Sequence, residues 1–365
     1  MILKHLQQCG HKPLILIGGG TTKVGDPSGK DESRQLITPE KIKENAEGIS
    51  KVFKTFIKFG DGPTDAVMVN NADWLDDVKY LEFLRDYGRY FTINRMLSFE
   101  SVKQRLARTQ PLTFLEFNYM LLQAYDFLEL NRKYGAILQM GGSDQWGNII
   151  SGVELARKCD QVQLFGLTAP LITTSDGKKM GKSAAGALWL NKDLLSEYDY
   201  WQFWRNTADA DVIRFLKLFT EIPLDEIKKM EQWQGQELNE AKIILADHAT
   251  SALHGAECIP KIKETIATLF SGGSKGGNAS LDSLEKFNIP DEADLDKGVT
   301  VVDCLVTVGF ASSKGEAKRL IKGGGARVND VKVTEETATI GKADFDDEGR
   351  LKISSGKKKN ALIVL

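Results

Sequence analysis

The sequence predicts an α/β domain with a largely parallel sheet, followed by a helical region and a small basic module. Three observations carry this expectation. Short apolar runs, "PLILI", "AVMVNN" and "GAILQMGG", alternate with helix-like stretches from residue 13 to about 190, the pattern of strands joined by helical crossovers. Between about 191 and 270 the apolar spacing becomes three to four, as in "DADVIRFLKLFTEI" and "ELNEAKIILADHATSALHG", which is the helical period. "SGGSKGGNAS" at 271 to 280 is then rich in glycine and serine, a linker composition. The boundaries read from this are 1–190, 191–270, a linker over 271–297, and a module over 298–365.

Composition bounds the function classes. The chain has 365 residues, 42% hydrophobic and 27% charged, ordinary for a soluble globular protein of two or three domains. Its net charge of −2 neither demands nor excludes a nucleic-acid partner, because a basic module can be balanced elsewhere. Cys9, Cys159, Cys258 and Cys304 form no C-x-x-C pair, so neither zinc nor a disulfide framework is indicated and a reducing compartment fits. No run approaches the roughly 20 apolar residues of a membrane span, and the start lacks a signal h-region or transit-peptide character. A cytoplasmic protein without a membrane or metal partner is expected, an organellar address remaining open.

The elements follow in order. "MILKHLQQCGHKP" reads as one short amphipathic helix that stops at Gly-His-Lys-Pro and leads straight into "PLILI". A parallel sheet normally places a strand ahead of such a helix. After "PLILI" comes "GGGTTKVGDPSGKDESR", residues 18 to 34. It is not a Walker loop, since Val24 stands where the first glycine belongs and Asp31 where a Ser or Thr belongs; nor is it G-x-G-x-x-G, which Lys23 breaks. What remains is a glycine-rich turn with a carboxylate at Asp26, then Lys30 and Arg34 on one face if a helix follows. A ligand bearing both an ammonium and phosphates suits it.

Three further stretches carry chemistry. "NYMLLQAYDF" places Tyr119, Gln123 and Asp126 at i, i+4 and i+7 on one helix face, fit either for a polar small molecule or for a polar seam between helices. "LQMGGSDQWGN" leaves a strand through two glycines into Asp144 and Gln145, where Asp144 can accept from ribose hydroxyls at the strand's carboxyl end; plain turn chemistry is the alternative. "SDGKKMGKSAAG" carries Lys179 and Lys182 three apart between glycines, as stabilising a departing polyphosphate requires, though an exposed basic loop looks the same. In the last module, twelve Lys or Arg against nine Asp or Glu give residues 298–365 a net charge of +3. Lys314, Lys318 and Lys322 follow at four-residue steps with Arg319 beside them, a stripe able to track a phosphate backbone or simply to face solvent.

With these residues in view, "KMGKS" resembles the KMSKS signature of class I aminoacyl-tRNA synthetases. Together with "GDPSGK", Y-x3-Q-x2-D and "GGSDQWGN", it makes the chain similar to bacterial-type or organellar tyrosyl-tRNA synthetases over essentially its whole length. The resemblance implies a Rossmann-like catalytic domain, a helical domain and a C-terminal S4-like RNA-binding module. It implies that Tyr119, Gln123 and Asp26 hold the ammonium of L-tyrosine and Asp126 its phenol. Thr21 lines the same site and Gln145 lies at the carboxylate. Gly142, Asp144, Lys179, Lys182 and Ser183 would bound ATP, while Lys179, Lys182, Lys30 and Arg34 clamp the leaving pyrophosphate. Lys314, Lys318, Arg319 and Lys322 would meet tRNA(Tyr). Mg2+ enters with ATP as substrate, and a homodimer is implied, with "PLTFLEFNYMLLQAYDFLEL" near its interface. The carboxylate aimed at a phenol favours tyrosine over tryptophan.

Two departures from the family pattern stand out. Gly181 replaces the serine of KMSKS and leaves both lysines in place. The HIGH-type motif is not found in these residues, and His11 at the far end of the first helix is no substitute for it. The expectation is therefore of a sequence shortened at its N-terminus and impaired as written, with RNA binding without aminoacylation as the alternative function.

Overall fold

The computed structural model describes residues 1–27, 37–183, 186–270, 284–289, 298–346, 348–356 and 359–365. Two compact units divide the chain, Met1–Gly181 and Lys182–Leu365.

The first unit is the expected α/β fold. After the helix Ile2–Gln8, the run "LILI" forms β1 (Leu14–Ile17), which pairs in parallel with β2 (Val67–Asn70). The crossover between them holds the helix Pro39–Phe56, started by Thr38, whose hydroxyl accepts from the Lys41 amide, and by proline at its first position. A second parallel ladder joins β3 (Leu138–Gly142) to β4 (Phe165–Ala169) through the helix Trp146–Cys159. Among the described residues the strands of this unit thus form two parallel pairs, where the sequence pattern suggested one sheet; apolar runs mark strands but not their partners.

The helix Tyr119–Tyr134 is the centre of this unit. Ala124, Phe127 and Leu128 on it are at most 1% exposed, each large side chain there contributing roughly 1.5–3 kcal/mol by burial. It ends on Gly135 at φ +68°, the left-handed cap that glycine adopts without penalty. The Trp146–Cys159 helix packs against it closely at Gly152, where a Cβ would lie 2.9 Å from that of Phe127. That contact anchors the Tyr119–Tyr134 helix, and with it the residues singled out on its polar face.

The second unit opens with a short antiparallel pair, β5 (Lys182–Ser183) with β6 (Gly186–Ala187), and continues as helices Glu197–Arg205, Asp209–Phe219, Leu224–Met230, Gln236–His254 and Cys258–Phe270. Trp201, Leu216 and Leu245 are buried among them, as the three-to-four spacing requires. Beyond them, β7 (Lys286–Asn288) runs parallel to β13 (Lys359–Val364) at the edge of a five-stranded sheet. The stretch read as a linker thus supplies an edge strand, with Phe287 packed on the module's core; residues 271–283 and 290–297 lie outside the described residues.

The sheet's other strands are β9 (Ala326–Val328), β10 (Val331–Lys332) and β12 (Arg350–Ser355), in the order β10-β9-β12-β13-β7. Asn329 and Asp330, both at positive φ, turn β9 into β10, the two-residue hairpin chemistry these residue types favour. A small ladder of β8 (Val299–Thr300) with β11 (Thr339–Ile340) and the helices Val301–Thr307 and Lys314–Lys322 complete the module. Its core is Leu305, Ile321, Leu351, Ile353 and Ile363.

Candidate active site

Parallel strands leave their ligand-binding ends where the chain exits toward the next helix, and the first unit gathers its polar side chains there. β1 ends at Ile17 and runs through three glycines into a short turn, Thr21–Lys23. β2 ends at Asn70, and the next residue, Asn71, is fully buried. Its Oδ1 accepts from the Gly20 amide at 2.8 Å and the Thr21 amide at 3.4 Å. Its Nδ2 donates to Thr21 Oγ1 at 2.9 Å and to Asp126 Oδ2 at 2.8 Å. Trp74, one turn further, donates from Nε1 to Asp126 Oδ1 at 2.8 Å. Two expected site residues, Thr21 and Asp126, are thus joined through one asparagine.

Asp126 is 2% exposed. Burial pushes its carboxyl up to about 6, against the pull of the Asn71 and Trp74 hydrogen bonds. Both of its oxygens are fixed by neutral donors. Tyr119 and Gln123 lie on the same helix and are half-buried. The Gln123 amide reaches Gln139 Oε1 on β3 at 3.5 Å, a long contact. Asn71, Trp74 and Gln139 did not emerge from the sequence. "VNNADW" signals only a strand exit, and the partners of Asn71 lie 50 and 55 positions away.

A second pair crosses between the two parallel ladders. Gln145 Nε2 donates to Asp26 Oδ2 at 2.8 Å, and Asn148 Nδ2 donates to Gln145 Oε1 at 3.2 Å. Asp144 is half-buried in the Ser143–Gln145 turn at the carboxyl end of β3. At Gly142 a Cβ would meet Asp144 Oδ1 at 2.6 Å and Leu171 at 2.9 Å, so a side chain there would have to displace the ends of both neighbours.

The lysine motif is divided between the units. Lys179 is exposed on a hairpin closed by a bridge from Thr173 and by Thr174 N to Lys178 O at 2.8 Å. At its tip the Lys178 ammonium, 2.7 Å from Asp176, holds that carboxyl down at about 2, helped by the Thr174 hydroxyl. Lys182 and Ser183 pair through β5 in the second unit, and their side chains are outside the described residues, as are Lys30 and Arg34 altogether. His11 is exposed just past the first helix, its amide bonded to Leu6 O at 3.0 Å.

In the last module Lys314, Lys318 and Lys322 share one helix, and each faces an acidic residue. Lys314 lies 2.7 Å from Asp303, and Lys322 and Lys318 lie 2.7 and 3.9 Å from Glu336. Arg319 beside them is exposed. Among the described residues there is no group of three His, Cys, Asp or Glu placed to hold a metal, and no helix is long and apolar enough to cross a membrane. Cys9, Cys159, Cys258 and Cys304 are free thiols.

Known proteins resemble this chain over its whole length. The family described as tRNA synthetases class I (W and Y) matches residues 1–271, and the tyrosine-tRNA ligase SYY-like C-terminal domain matches residues 284–363. The tyrosine-tRNA ligase of Rhodospirillum rubrum is 56% identical over 363 residues, covering all of this chain and 85% of the relative; that of Novosphingobium aromaticivorans is 53% identical with the same coverage. Among solved structures, a C-terminally truncated mitochondrial tyrosyl-tRNA synthetase of Aspergillus nidulans superposes with a TM-score of 0.64 at 31% identity, over 74% of this chain and 79% of that one.

Proposed function

The chain belongs to the tyrosyl-tRNA synthetases, within class I of the aminoacyl-tRNA synthetases, and from that premise we propose how its residues divide the work. The enzyme ligates tyrosine to its tRNA at the expense of ATP. In the first step the tyrosine carboxylate attacks the α-phosphate of ATP, giving tyrosyl-adenylate and releasing pyrophosphate. In the second a terminal ribose hydroxyl of the tRNA takes the tyrosyl group, and AMP leaves. No covalent enzyme intermediate enters, so catalysis rests on positioning and on charge stabilisation.

The observation that carries the assignment is Asp126. A buried anion whose fixed partners are neutral donors has unused acceptor capacity and no counter-charge, which suits a phenol hydroxyl. A side chain without that hydroxyl would leave the carboxylate unpaired in a buried site. Tyr119 and Gln123, two turns and one turn away on the same helix, and Asp26 take the substrate's ammonium; Thr21 lines the pocket. Gln145, held between Asp26 and Asn148, stands at the carboxylate. Gly142 and Asp144 receive the nucleoside. Lys179 and Lys182, with Ser183, Lys30 and Arg34, neutralise charge as it builds on the leaving pyrophosphate, whose Mg2+ arrives with ATP.

The second unit supplies the tRNA contact, with Lys314, Lys318, Arg319 and Lys322 along the phosphates. Two copies of the chain pair through the segment 111–130, which presents Phe114 and Leu115 at 70% and 45% exposure. The free thiols suit a reducing, cytoplasmic setting. Tyrosine-dependent ATP-pyrophosphate exchange tests the reading. Exchange in the parent chain that collapses in Asp126→Asn supports it, and exchange untouched by that substitution removes Asp126 from the site.

A further inference from the structure

The sheet of the last module is buried on both faces, and its own helices account for one of them. Along β12, Leu351 and Ile353 point into the core they share with Leu305 and Ile321, while Arg350, Lys352 and Ser354 alternate with them on the opposite face and are buried as well. Arg350 and Lys352 pair with Asp346 and Asp330 of the module itself, at 3.1 and 2.7 Å. Ser354 is placed differently. It is the register partner of Asn360 on β13, and its hydroxyl donates to Asn360 Oδ1 at 2.8 Å. That bond leaves the Asn360 amide nitrogen for the hydroxyl of Tyr198, which stands against it from the helix Glu197–Arg205.

Tyr198 is 1% exposed although it lies in the first turn of that helix. Its hydroxyl accepts from Gln202 Nε2 at 3.1 Å, and burial pushes it up to about 12, so it stays a neutral polar group. A second pair of side chains meets at the same seam with the opposite effect. Asp199, next in the helix, and Glu285, just ahead of β7, both have carboxyls raised by burial, and the charge of Asp199 raises that of Glu285 further. Among the described residues no cation enters either balance; Asp199 has the Ser196 hydroxyl, which donates to it at 2.7 Å. Glu285 is tied to β13 by its carbonyl, which accepts from Leu362 N at 2.9 Å, two positions from Asn360. One polar contact thus holds the helices to the module while two carboxylates push them apart.

We propose that Tyr198 and Asn360 are positioning residues for tRNA: they seat the module that carries Lys314, Lys318 and Lys322 on the helix Glu197–Arg205, and repulsion between Asp199 and Glu285 limits how firmly it is seated. The inference rests on the reading of that lysine stripe as a tRNA contact. It adds a fixed orientation to the stripe's charge, since a phosphate backbone that must reach several lysines at once is bound better when their module is already held in place.

The test compares the full chain with its Tyr198→Phe, Asn360→Ala, Glu285→Gln and Lys322→Ala variants. Two quantities are measured: hydrogen exchange of the β7 and β13 peptides by mass spectrometry without RNA, and tRNA affinity by filter binding. Tyr198→Phe keeps the buried ring and deletes only the hydroxyl, so it carries the test if Asn360→Ala fails to fold. Loss of one polar contact is expected to speed exchange in both strands roughly three- to tenfold and to weaken tRNA binding by no more than the same factor. Glu285→Gln is expected to move both quantities the other way. Exchange unchanged in Glu285→Gln while affinity rises would reduce that residue to a plain charge effect on RNA, and would overturn its part in the seam. If Lys322→Ala weakens binding while Tyr198→Phe and Asn360→Ala keep the parental affinity, the inference fails and the reading of the stripe stands. If Lys322→Ala leaves binding unchanged, the reading of the stripe fails and takes the inference with it.

Discussion

Gln145 and Asp26, 119 positions apart in sequence, meet through a 2.8 Å hydrogen bond from the glutamine amide to the aspartate carboxylate. Asp26 stands in the turn after β1 and Gln145 in the turn after β3, so one bond joins the carboxyl ends of the two parallel ladders. Asn148, buried one turn into the next helix, donates to the Gln145 oxygen and leaves its nitrogen aimed at Asp26. Gln145→Ala is expected to raise the KM for tyrosine roughly tenfold in ATP-pyrophosphate exchange, the scale of one hydrogen bond to a charged group. Asn148→Ala acts through Gln145 and should have a smaller effect in the same direction. An unchanged KM in Gln145→Ala would separate the Asp26–Gln145 pair from substrate binding.

Asp126 also makes stability depend on pH. Its carboxyl is raised from 3.8 to about 6 in the folded chain, so the folded state binds this proton more tightly than the unfolded state does. The resulting stabilisation is complete below about 3.8 and is lost as pH rises to about 6; for a shift of this size the loss is on the order of 3 kcal/mol. Urea unfolding of the parent chain and of Asp126→Asn at pH 4, 5, 6 and 7 isolates the term. The parent should lose stability relative to the variant across that range, and parallel curves would show that the carboxyl is not perturbed.

A buried ion pair shapes the approach to the helix Tyr119–Tyr134. Arg105 and Glu116 have side chains only 3% and 4% exposed and lie 3.3 Å apart. Arg105 Nε also donates to Pro111 O, and Glu116 closes a capping box with Thr113. Removing one partner strands the other charge in the interior, at a cost of about 3–5 kcal/mol. Glu116→Ala should therefore lose stability on that scale in urea unfolding, and tyrosine binding should weaken with it because the clip leads directly into Tyr119. A cost below about 1 kcal/mol, the range of exposed pairs, would mean that water reaches the guanidinium.

What the sequence disclosed, and what it withheld, follows from the range of each interaction. "PLILI", "AVMVNN" and "GAILQMGG" were legible as strands because a short apolar run is a local signal, and Tyr119, Gln123 and Asp126 were legible as one face because helical spacing is local too. Asn71 was silent. An asparagine after a strand is ordinary turn chemistry, and its meaning comes from Thr21 and Asp126, each at least 50 positions away. The pairing of the strands into two ladders was hidden for the same reason, and the three-residue β7 is too short to show a period. Glu336 was likewise invisible beside the lysine stripe, since it sits outside the helix whose periodicity revealed that stripe.

The cysteines differ sharply in exposure. Cys9 is exposed just after the first helix, while Cys258 and Cys304 are buried and burial pushes their thiols up to about 11 and about 12. Cys159 is half-buried, its thiol raised by burial and then by the Asp160 carboxylate. The thiolate is the reactive form. At pH 8, disulfide exchange with an aromatic disulfide should consume one thiol rapidly in the native chain and four after unfolding, and Cys9→Ser should remove the rapid phase. A rapid phase that survives Cys9→Ser would place an accessible thiolate among the other three.

The lysines of the last module bear on how tRNA would be held. Lys314, Lys318 and Lys322 are 71%, 52% and 72% exposed, and Asp303 and Glu336 stand against them. Exposed pairs of this kind contribute little to stability, so a lysine can leave its carboxylate for a phosphate at small cost. The carboxylates nevertheless lower the local positive potential, and Glu336 does so for two lysines at once. Glu336→Gln should therefore raise tRNA affinity several-fold at low salt and steepen its salt dependence, each added phosphate contact increasing the slope of log K against log salt by roughly 0.7–0.9. Lys322→Ala should do the opposite, weakening binding and flattening the slope by about one contact. Filter binding of tRNA between 50 and 300 mM salt, a range of about six-fold over which such slopes resolve, reads both variants. Unchanged affinity and slope in the two together would mean that this helix faces solvent and that the phosphates run elsewhere on the module.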